Sequence, residues 1–123
     1  MKKITQPMRE RAFIPQLLLF DSKMPIKSKM AYAIHSCYST ERENGKYSLN
    51  IKNPNGESEE FILEIRGKKL TAPVSIITNN KLSDIARLLA FFDEVEVSLS
   101  NEDIAKILNC TSEDILVARK KLK

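Results

Sequence analysis

The central part of the sequence alternates apolar and polar residues on both sides of a strong turn signal. The alternation covers residues 47–51 and 61–65, and Asn53-Pro-Asn-Gly56 lies between them. A period of two on both sides of a turn predicts a β-hairpin. Asn44-Gly45 and Arg66-Gly67 mark further turns at the two ends of this hairpin. The chain is therefore expected to carry an antiparallel strand pair at its centre.

The amino-terminal side of the hairpin has a helical pattern. A short polar helix is predicted over 5–11, and an apolar one over 15–20, where Pro15 suits a first helical turn. After a turn at 21–23, a longer helix is predicted over 26–39, because its apolar residues form one helical stripe. Those apolar residues are Ile26, Met30, Ala33, Ile34 and Cys37, and the opposite side carries Ser28, Tyr32 and His35.

The carboxy-terminal side begins with a segment of mixed pattern. Val74–Ile77 is predicted to add a third strand, which Pro73 limits to a sheet edge or a strand start. Ser83 is predicted to cap a helix whose apolar face runs from Ile85 to Phe92. The alternating stretch 95–99 then predicts a short strand or an extended linker.

The sharpest local signal is the segment 100–122, SNEDIAKILNCTSEDILVARKKL. Two capping patterns, Ser100-x-x-Asp103 and Thr111-x-x-Asp114, each precede apolar residues at helical spacing. Only Asn109 and Cys110 separate the first helix from the second cap. This pattern resembles a helix-turn-helix whose second helix ends in basic residues. The alternative interpretation is an antiparallel helical hairpin with a solvated basic end, and the acidic start of the second helix is consistent with it.

Composition excludes several kinds of chemistry. The 123 residues include one His, two Cys and three Gly, which is too few for a paired zinc site or a glycine-rich phosphate loop. We therefore expect no metal, no cofactor and no enzymatic activity, with both cysteines as buried free thiols. No apolar run approaches a membrane span, and the first residues lack the apolar region of a secretory signal. A cytoplasmic protein without membrane contact is expected.

The formal charge of +4 is distributed unevenly. Residues 1–30 carry a net charge of +5, residues 57–100 carry −3, and the other two stretches carry +1 each. A basic end is typical of proteins that bind a polyanion such as nucleic acid, although a solvated surface explains it equally well.

A weak internal repeat with a spacing of about 58 residues relates the two sides of the hairpin. Phe13–Met24 and Val74–Leu82 each precede an amphipathic helix and end in matching Lys-Met and Lys-Leu pairs. We therefore predict an α+β fold with winged-helix or helix-turn-helix units at both ends around a central antiparallel hairpin or small sheet. The halves are 1–69, with the hairpin, and 70–123, together forming one compact unit.

In its length, two helical ends, central Asn-Pro-Asn-Gly hairpin and basic character, the chain resembles the TraN-type DNA-binding transfer proteins of Gram-positive conjugative plasmids. The resemblance covers nearly the whole chain and implies an excisionase-like internal dimer, a monomer with a pseudo-two-fold axis. It also implies sequence-specific binding to double-stranded DNA near a transfer origin or operon promoter. The role would be that of a relaxosome accessory or regulator in conjugation through type IV secretion, with other transfer proteins as further partners.

The candidate DNA contacts fall into three groups. The first helical unit contributes Lys23, Lys27, Ser28, Lys29, Tyr32 and His35. The hairpin and its exit contribute Lys52, Asn55, Lys68 and Lys69. The last helix contributes Ser112, Glu113, Val117, Lys120 and Lys121. Tyr32 and His35 are equally consistent with partly buried helix residues, and Asn55 with a solvated turn.

Two other functions remain open at this stage. Phe13-Ile-Pro and the following Asp-Ser-Lys-Met also resemble the amino-terminal winged helix of plasmid and phage replication initiators. Alternatively, Leu116 and Val117 on the outward face of the last helix suit a protein-interaction adaptor.

Overall fold

A computed structural model describes residues 3–4, 8–42, 45–65, 67–95 and 98–122. Over these ranges the fold is mixed α+β, with six helices and two small antiparallel sheets. The strands are β1 (Lys3–Ile4), β2 (Arg11–Pro15), β3 (Thr40–Glu41), β4 (Lys46–Lys52), β5 (Ser58–Glu64) and β6 (Lys69–Pro73). The helices are α1 (Gln16–Leu19), α2 (Ile26–Ser36), α3 (Val74–Thr78), α4 (Asp84–Glu94), α5 (Asn101–Leu108) and α6 (Ser112–Lys121). No helix in the described part of the chain is long and apolar enough to cross a membrane.

The predicted central hairpin is confirmed as β4 and β5. Their antiparallel register places Leu49 opposite Phe61. The connecting turn ends at Gly56, whose φ of 88° is the left-handed conformation that glycine adopts without steric cost. The short strands β1 and β3 pair with the other edge of β4.

The second sheet consists of β2 and β6, and β2 was not predicted. Ala12, Phe13 and Ile14 are all buried, because β6 pairs with the strand along its edge and α2 packs against it. A strand that is buried on both sides shows no period of two. The sequence pattern alone therefore does not distinguish it from an apolar stretch of helix. The 69/70 boundary between the predicted halves falls at the first residues of β6.

Two local predictions were wrong. Val74–Ile77 forms α3 rather than a third strand. Pro73 is its N-cap, and the Thr78 hydroxyl donates to the Val74 carbonyl oxygen at 3.0 Å, one helical turn back. The predicted helix over 5–11 is also not observed where the structure describes it, since residues 8–10 are irregular and Arg11 begins β2. Residues 5–7 lie outside the described ranges.

The remaining helices follow the predictions closely. α2 starts at Ile26 as expected and ends at Ser36, three residues before the predicted end. α4 has Ser83 as its N-cap, and the Ser83 hydroxyl accepts from the Ala86 amide. Of the alternating stretch 95–99, residues 96–97 lie outside the described ranges, and neither Val95 nor Leu99 is in a strand.

The order strand, short helix, turn, longer helix occurs twice, in 11–36 and again in 69–94. The two segments pair through β2 and β6, where Phe13 lies opposite Thr71. These two residues are 58 positions apart, the spacing of the sequence repeat.

A hydrogen bond from a side chain to a backbone carbonyl occurs in both segments, at positions 58 residues apart. Lys29 Nζ donates to the Leu19 carbonyl oxygen at 2.6 Å, and Arg87 Nη1 donates to the Ile77 carbonyl oxygen at 3.0 Å. Each bond links the longer helix to the carboxyl end of the preceding short helix. Such a bond satisfies a helix-terminal carbonyl that has no partner within its own helix.

The turns between the helices also match. The Lys23 amide donates to Asp21 Oδ1 at 2.9 Å, and the Lys81 amide donates to Asn79 Oδ1 at 3.2 Å. Asp and Asn side chains stabilise such turns by mimicking a backbone acceptor. The two turns are therefore built by the same local chemistry.

α6 packs against α4, and α5 packs against α6, which closes the core. Asn109 adopts the left-handed conformation, φ 56°, at the end of α5, and the Thr111–Asp114 pair forms a reciprocal capping box at the start of α6. Both features give a short, defined turn between the helices. The two halves share one hydrophobic core, whose fully buried members include Leu19, Ile77, Leu88, Phe92, Ile104 and Ile115.

Candidate nucleic-acid interface

The turn before α2 and the first turn of that helix form an exposed basic surface. Lys23 in the turn, and Lys27 and Ser28 in the helix, are all exposed. Ala31, one turn further along, is exposed as well. Three of the predicted contacts therefore lie on one accessible surface at the amino end of α2, here called the α2 surface (Lys23, Lys27, Ser28).

The amino end of α2 differs from that of the other helices of eight or more residues. Its N-cap is Pro25, no side chain caps it, and its first turn contains no acidic residue. In contrast, α4, α5 and α6 each have a Ser or Thr N-cap whose side chain accepts from the helix, and each has Asp or Glu in the first turn. An uncapped helix start carries partial positive charge and free N–H groups, which favour an anion.

Lys29 is a correction to the predicted contacts. Its side chain is 0% exposed. Nζ donates to the carbonyl oxygens of Leu19 at 2.6 Å and Ile107 at 3.1 Å. Burial lowers the pKa of the Lys29 ammonium, against an opposing effect of Asp21. Lys29 therefore ties α2 to α1 and α5 from the interior, because its position in α2 faces the core rather than solvent.

Tyr32 and His35 are half-buried rather than open on the helix surface. The Tyr32 ring meets Phe13 edge-on, with ring centroids 6.1 Å apart. Its hydroxyl is buried without a hydrogen-bond partner in the described structure, and burial raises the pKa of Tyr32 to about 12. Burial also lowers the pKa of His35, so this imidazole stays neutral at neutral pH. The structure thus favours the packing interpretation for Tyr32.

The β4–β5 hairpin offers little exposed positive charge for DNA. Lys52 and Asn55 are exposed near its tip. Asn55 Oδ1 accepts from the Glu57 amide at 3.3 Å, which is a local turn interaction. The exposed acidic residues of the same hairpin are Glu57, Glu59, Glu60 and Glu64. This negative charge opposes the approach of phosphate groups to the hairpin.

The exit of the hairpin contains two lysines in different environments. Lys68 is exposed and lines a cavity beside α1 with Leu17 and Phe20. Lys69 Nζ donates to the Tyr47 hydroxyl at 2.5 Å and lies 5.7 Å from the centroid of the Phe13 ring. Lys68 is therefore available to an anion. Lys69, in contrast, already stabilises the neighbouring Phe13 and Tyr47 rings by hydrogen-bond and cation–π contacts.

The outer side of α6 carries the third predicted group. Ser112, Glu113, Lys120 and Lys121 are exposed, and Val117 is 52% exposed. The neighbouring Arg119, in contrast, is turned inward and donates to Asn101 Oδ1 at 2.9 Å and to Asp93. Basic charge on this surface is therefore confined to the last turn of α6, while its first turn is acidic.

Sequence reasoning missed Lys81. This lysine is exposed in the turn before α4, at the position that matches Lys23 in the repeat. It lies at a cavity of about 430 Å³ between this turn and α6, where Leu82, Ile85 and Val117 form apolar walls. The repeat spacing of 58 residues was the signal that could have identified it.

The cysteines form no disulfide. Cys37 is buried and Cys110 is half-buried, both as free thiols, as predicted for Cys37. Burial raises the pKa of Cys37 to about 11. Across the described ranges, no three His, Cys, Asp or Glu side chains are grouped so that they could hold a metal ion.

No family model, curated protein or solved structure matches the chain.

Proposed function

We propose that this protein binds double-stranded DNA without catalysing a reaction, and that the α2 surface is its main contact. The observation that carries the proposal is the uncapped, acid-free amino end of α2, flanked by the exposed Lys23 and Lys27. Helix amino ends, lysines and small hydroxyl side chains are among the groups that contact DNA phosphates. Ser28 supplies such a hydroxyl next to the helix start.

The carboxyl end of α6 provides a second contact in this proposal. Lys120 and Lys121 are exposed there. The acidic first turn of α6 has a role within the protein, because Asp114 closes the capping box with Thr111. We therefore assign phosphate contacts to the last turn of α6, and base contacts by Ser112, Glu113 and Val117 remain part of the proposal.

The two strand-helix-helix segments are, in this proposal, halves related by an internal pseudo-two-fold axis. In the β2–β6 ladder, Ala12 lies opposite Ala72 and Ile14 lies opposite Leu70. A shift of 58 residues converts the first pair into the second, and Phe13 and Thr71 lie opposite each other at the centre. An axis through that central pair accounts for the register and for the matching hydrogen bonds.

A winged-helix arrangement is the finer form of the proposal. α1, its turn and α2 form the helical part, and the β4–β5 hairpin that follows in sequence is the wing. Together with the resemblance to TraN-type proteins, this arrangement supports sequence-specific binding near a transfer origin or operon promoter. The cellular role would then be relaxosome assembly or regulation of conjugative transfer in the cytoplasm.

A labelled duplex of mixed sequence tests DNA binding directly. Fluorescence anisotropy at about 50 mM and about 200 mM salt should show binding that weakens steeply with salt, because each neutralised phosphate releases counterions. An absence of binding at the lower salt concentration contradicts the proposal. That result would favour the protein-interaction adaptor, which the 52% exposure of both Leu116 and Val117 supports.

Sequence specificity needs a separate measurement. Selection from a pool of random duplexes, followed by footprinting on DNA upstream of the protein's own operon, should enrich a defined site. Specific sites are typically bound about 10³-fold or more tightly than random DNA. Recovery of only random sequences would limit the function to non-specific DNA binding.

A further inference from the structure

The buried amine of Lys29 closes the segment of chain that carries the α2 surface. Lys29 Nζ donates to the Leu19 carbonyl oxygen at 2.6 Å, so this bond joins the two ends of residues 20–28. All three residues of the α2 surface lie within that segment. Their positions therefore depend on a stretch of chain whose ends are held together by one interior hydrogen bond.

The start of α2 has no side-chain cap, which makes this interior bond more important. Its N-cap, Pro25, forms no side-chain hydrogen bond with the helix. The matching helix α4 has two devices, since Ser83 caps it and Arg87 forms the equivalent bond to the Ile77 carbonyl oxygen. A missing cap leaves the first turn of a helix less stable. The first turn of α2 therefore relies on Lys29 more than that of α4 relies on Arg87.

A second hydrogen bond of the same amine leads toward the other proposed DNA contact. Lys29 Nζ also donates to the Ile107 carbonyl oxygen of α5 at 3.1 Å. A short turn with a capping box joins α5 to α6, and the last turn of α6 carries that other contact. One ammonium group therefore ties the α2 surface to the helix pair that carries the second contact.

The Lys29 ammonium group is itself inaccessible to DNA. The side chain is 0% exposed, and both acceptors of Nζ are backbone carbonyl oxygens in the interior. A direct contact with phosphate would break these bonds. Lys29 can therefore influence DNA binding only through the positions of other residues.

We propose that Lys29 is a positioning residue for DNA binding, whose two hydrogen bonds hold the α2 surface in its binding arrangement before DNA binds. The inference rests on the proposed function. Without these bonds, residues 20–28 become ordered only on binding, and that ordering costs free energy. The number of phosphate contacts stays the same, so the affinity falls while the salt dependence does not change.

Duplex binding by Lys29→Met tests this proposal. Fluorescence anisotropy with a labelled duplex of mixed sequence is measured over a series of salt concentrations, at a temperature where circular dichroism shows every variant to be folded. We expect an affinity about three- to tenfold below the parent's, from the lost preorganisation. The slope of log affinity against log salt concentration should equal the parent's. A slope less steep by about 0.9 would indicate a direct phosphate contact and overturn the positioning role.

Lys29→Arg is the rescue variant. It retains the charge and the donor groups, and Arg87 shows that a guanidinium group reaches the equivalent carbonyl oxygen in the other half. Its affinity should therefore equal the parent's. A loss as large as that of Lys29→Met would contradict the assignment of the effect to these hydrogen bonds.

Two matched controls separate positioning from loss of stability and from loss of charge. Arg87→Met removes the equivalent bond in the other half, and Lys106→Met removes an exposed positive charge next to Ile107. Both should bind as the parent does. If either control weakens binding as much as Lys29→Met, general destabilisation or charge explains the effect and the proposal is overturned.

Hydrogen exchange tests the preorganisation in the parent without any substitution. The Lys23 and Met24 amides donate to the side-chain and backbone oxygens of Asp21 at 2.9 and 3.1 Å. Both amides should exchange more slowly than in an unfolded chain before DNA is added, and Lys29→Met should exchange them faster. Unprotected amides in the free parent that become protected only with DNA overturn the proposal.

The outcomes distinguish this inference from the function on which it rests. A parent that binds no duplex at low salt contradicts the proposed function, and the inference falls with it. A parent that binds duplex and a Lys29→Met variant of equal affinity contradict the inference alone. A lower affinity with an unchanged slope, restored by Lys29→Arg, supports it.

Discussion

Lys29 Nζ donates a 2.6 Å hydrogen bond to the carbonyl oxygen of Leu19, ten residues earlier in the chain. Arg87 makes the equivalent bond to Ile77, also ten residues earlier. Lys29 reaches a second carbonyl, that of Ile107 near the end of α5. Both of its acceptors lie at carboxyl ends of helices, where the partial negative charge favours a cation. This buried lysine forms no ion pair within the described residues, and two helix ends stabilise it.

Replacing Lys29 with Met should destabilise the fold by about 2 kcal/mol, because two charge-assisted hydrogen bonds are lost and two carbonyls are left without their donor. Methionine retains most of the apolar stem, so the cavity term is small. The measurement is the free energy of unfolding from urea denaturation.

Lys27→Met is the matched control for this substitution. Lys27 lies in the same helix but is exposed, and such surface changes are usually within about 0.5 kcal/mol. If Lys29→Met is as stable as the control, the two hydrogen bonds contribute nothing measurable and their structural role is refuted.

Tyr32→Phe should maintain or raise stability by up to about 1 kcal/mol, because it removes a buried hydroxyl without a partner. The pKa of Tyr32 is raised from 10.0 to about 12 in the folded protein. The folded state holds the Tyr32 proton more tightly than the unfolded state does. The stability that comes from this difference is therefore fully present below pH 10 and is lost as the pH rises toward 12. Across this pH range, the free energy of unfolding measured with urea should fall less steeply in the variant than in the parent. An identical pH profile in the two proteins would show that the hydroxyl is not buried in this way.

Thr111→Ala should cost about 1 kcal/mol, because it removes the N-cap of α6 and half of its capping box. Thermal unfolding measures the loss, and hydrogen exchange should show reduced protection in the first turn of α6. Ser112→Ala is the control, since Ser112 is exposed in the first turn and is not the capping residue. Equal effects of the two substitutions would argue against the capping box as the source of the loss.

Lys120→Ala/Lys121→Ala should lower the affinity for duplex DNA and reduce the salt dependence, if the last turn of α6 contacts phosphates as proposed. Anisotropy at nanomolar protein concentration measures this. Lys106→Ala is the single-charge comparison on α5. Binding by the double variant that equals the parent's at both salt concentrations would remove α6 from the interface.

Patterned surface elements were predictable from the sequence. The β4–β5 hairpin followed from alternation around Asn53-Pro-Asn-Gly56, and α4, α5 and α6 followed from their caps and apolar spacing. In α4, α5 and α6 one face is buried and the other is solvated, so the period is visible in the sequence. Exposure of Lys23, Lys27 and Lys120 was anticipated for the same reason.

The errors occurred where burial removes the pattern. β2 is buried on both sides and was not predicted, and the predicted helices covered only its end residues, Arg11 and Pro15. α3 has only five residues and resembled a β-branched strand. Lys29 was assigned to the surface because lysine is rarely buried. Its location depends on carbonyl groups of α1 and α5, which no local pattern of α2 reveals.

The most direct test of the central proposal is the salt dependence of duplex binding for Lys23→Ala/Lys27→Ala, compared with the parent and with Lys106→Ala. Each phosphate contact contributes about 0.9 to the slope of log affinity against log salt concentration. We predict that the double variant binds more weakly and that its slope is less steep by about 1.8, while Lys106→Ala matches the parent. A double variant with the parent's affinity and slope would contradict the assignment of the α2 surface as the DNA contact.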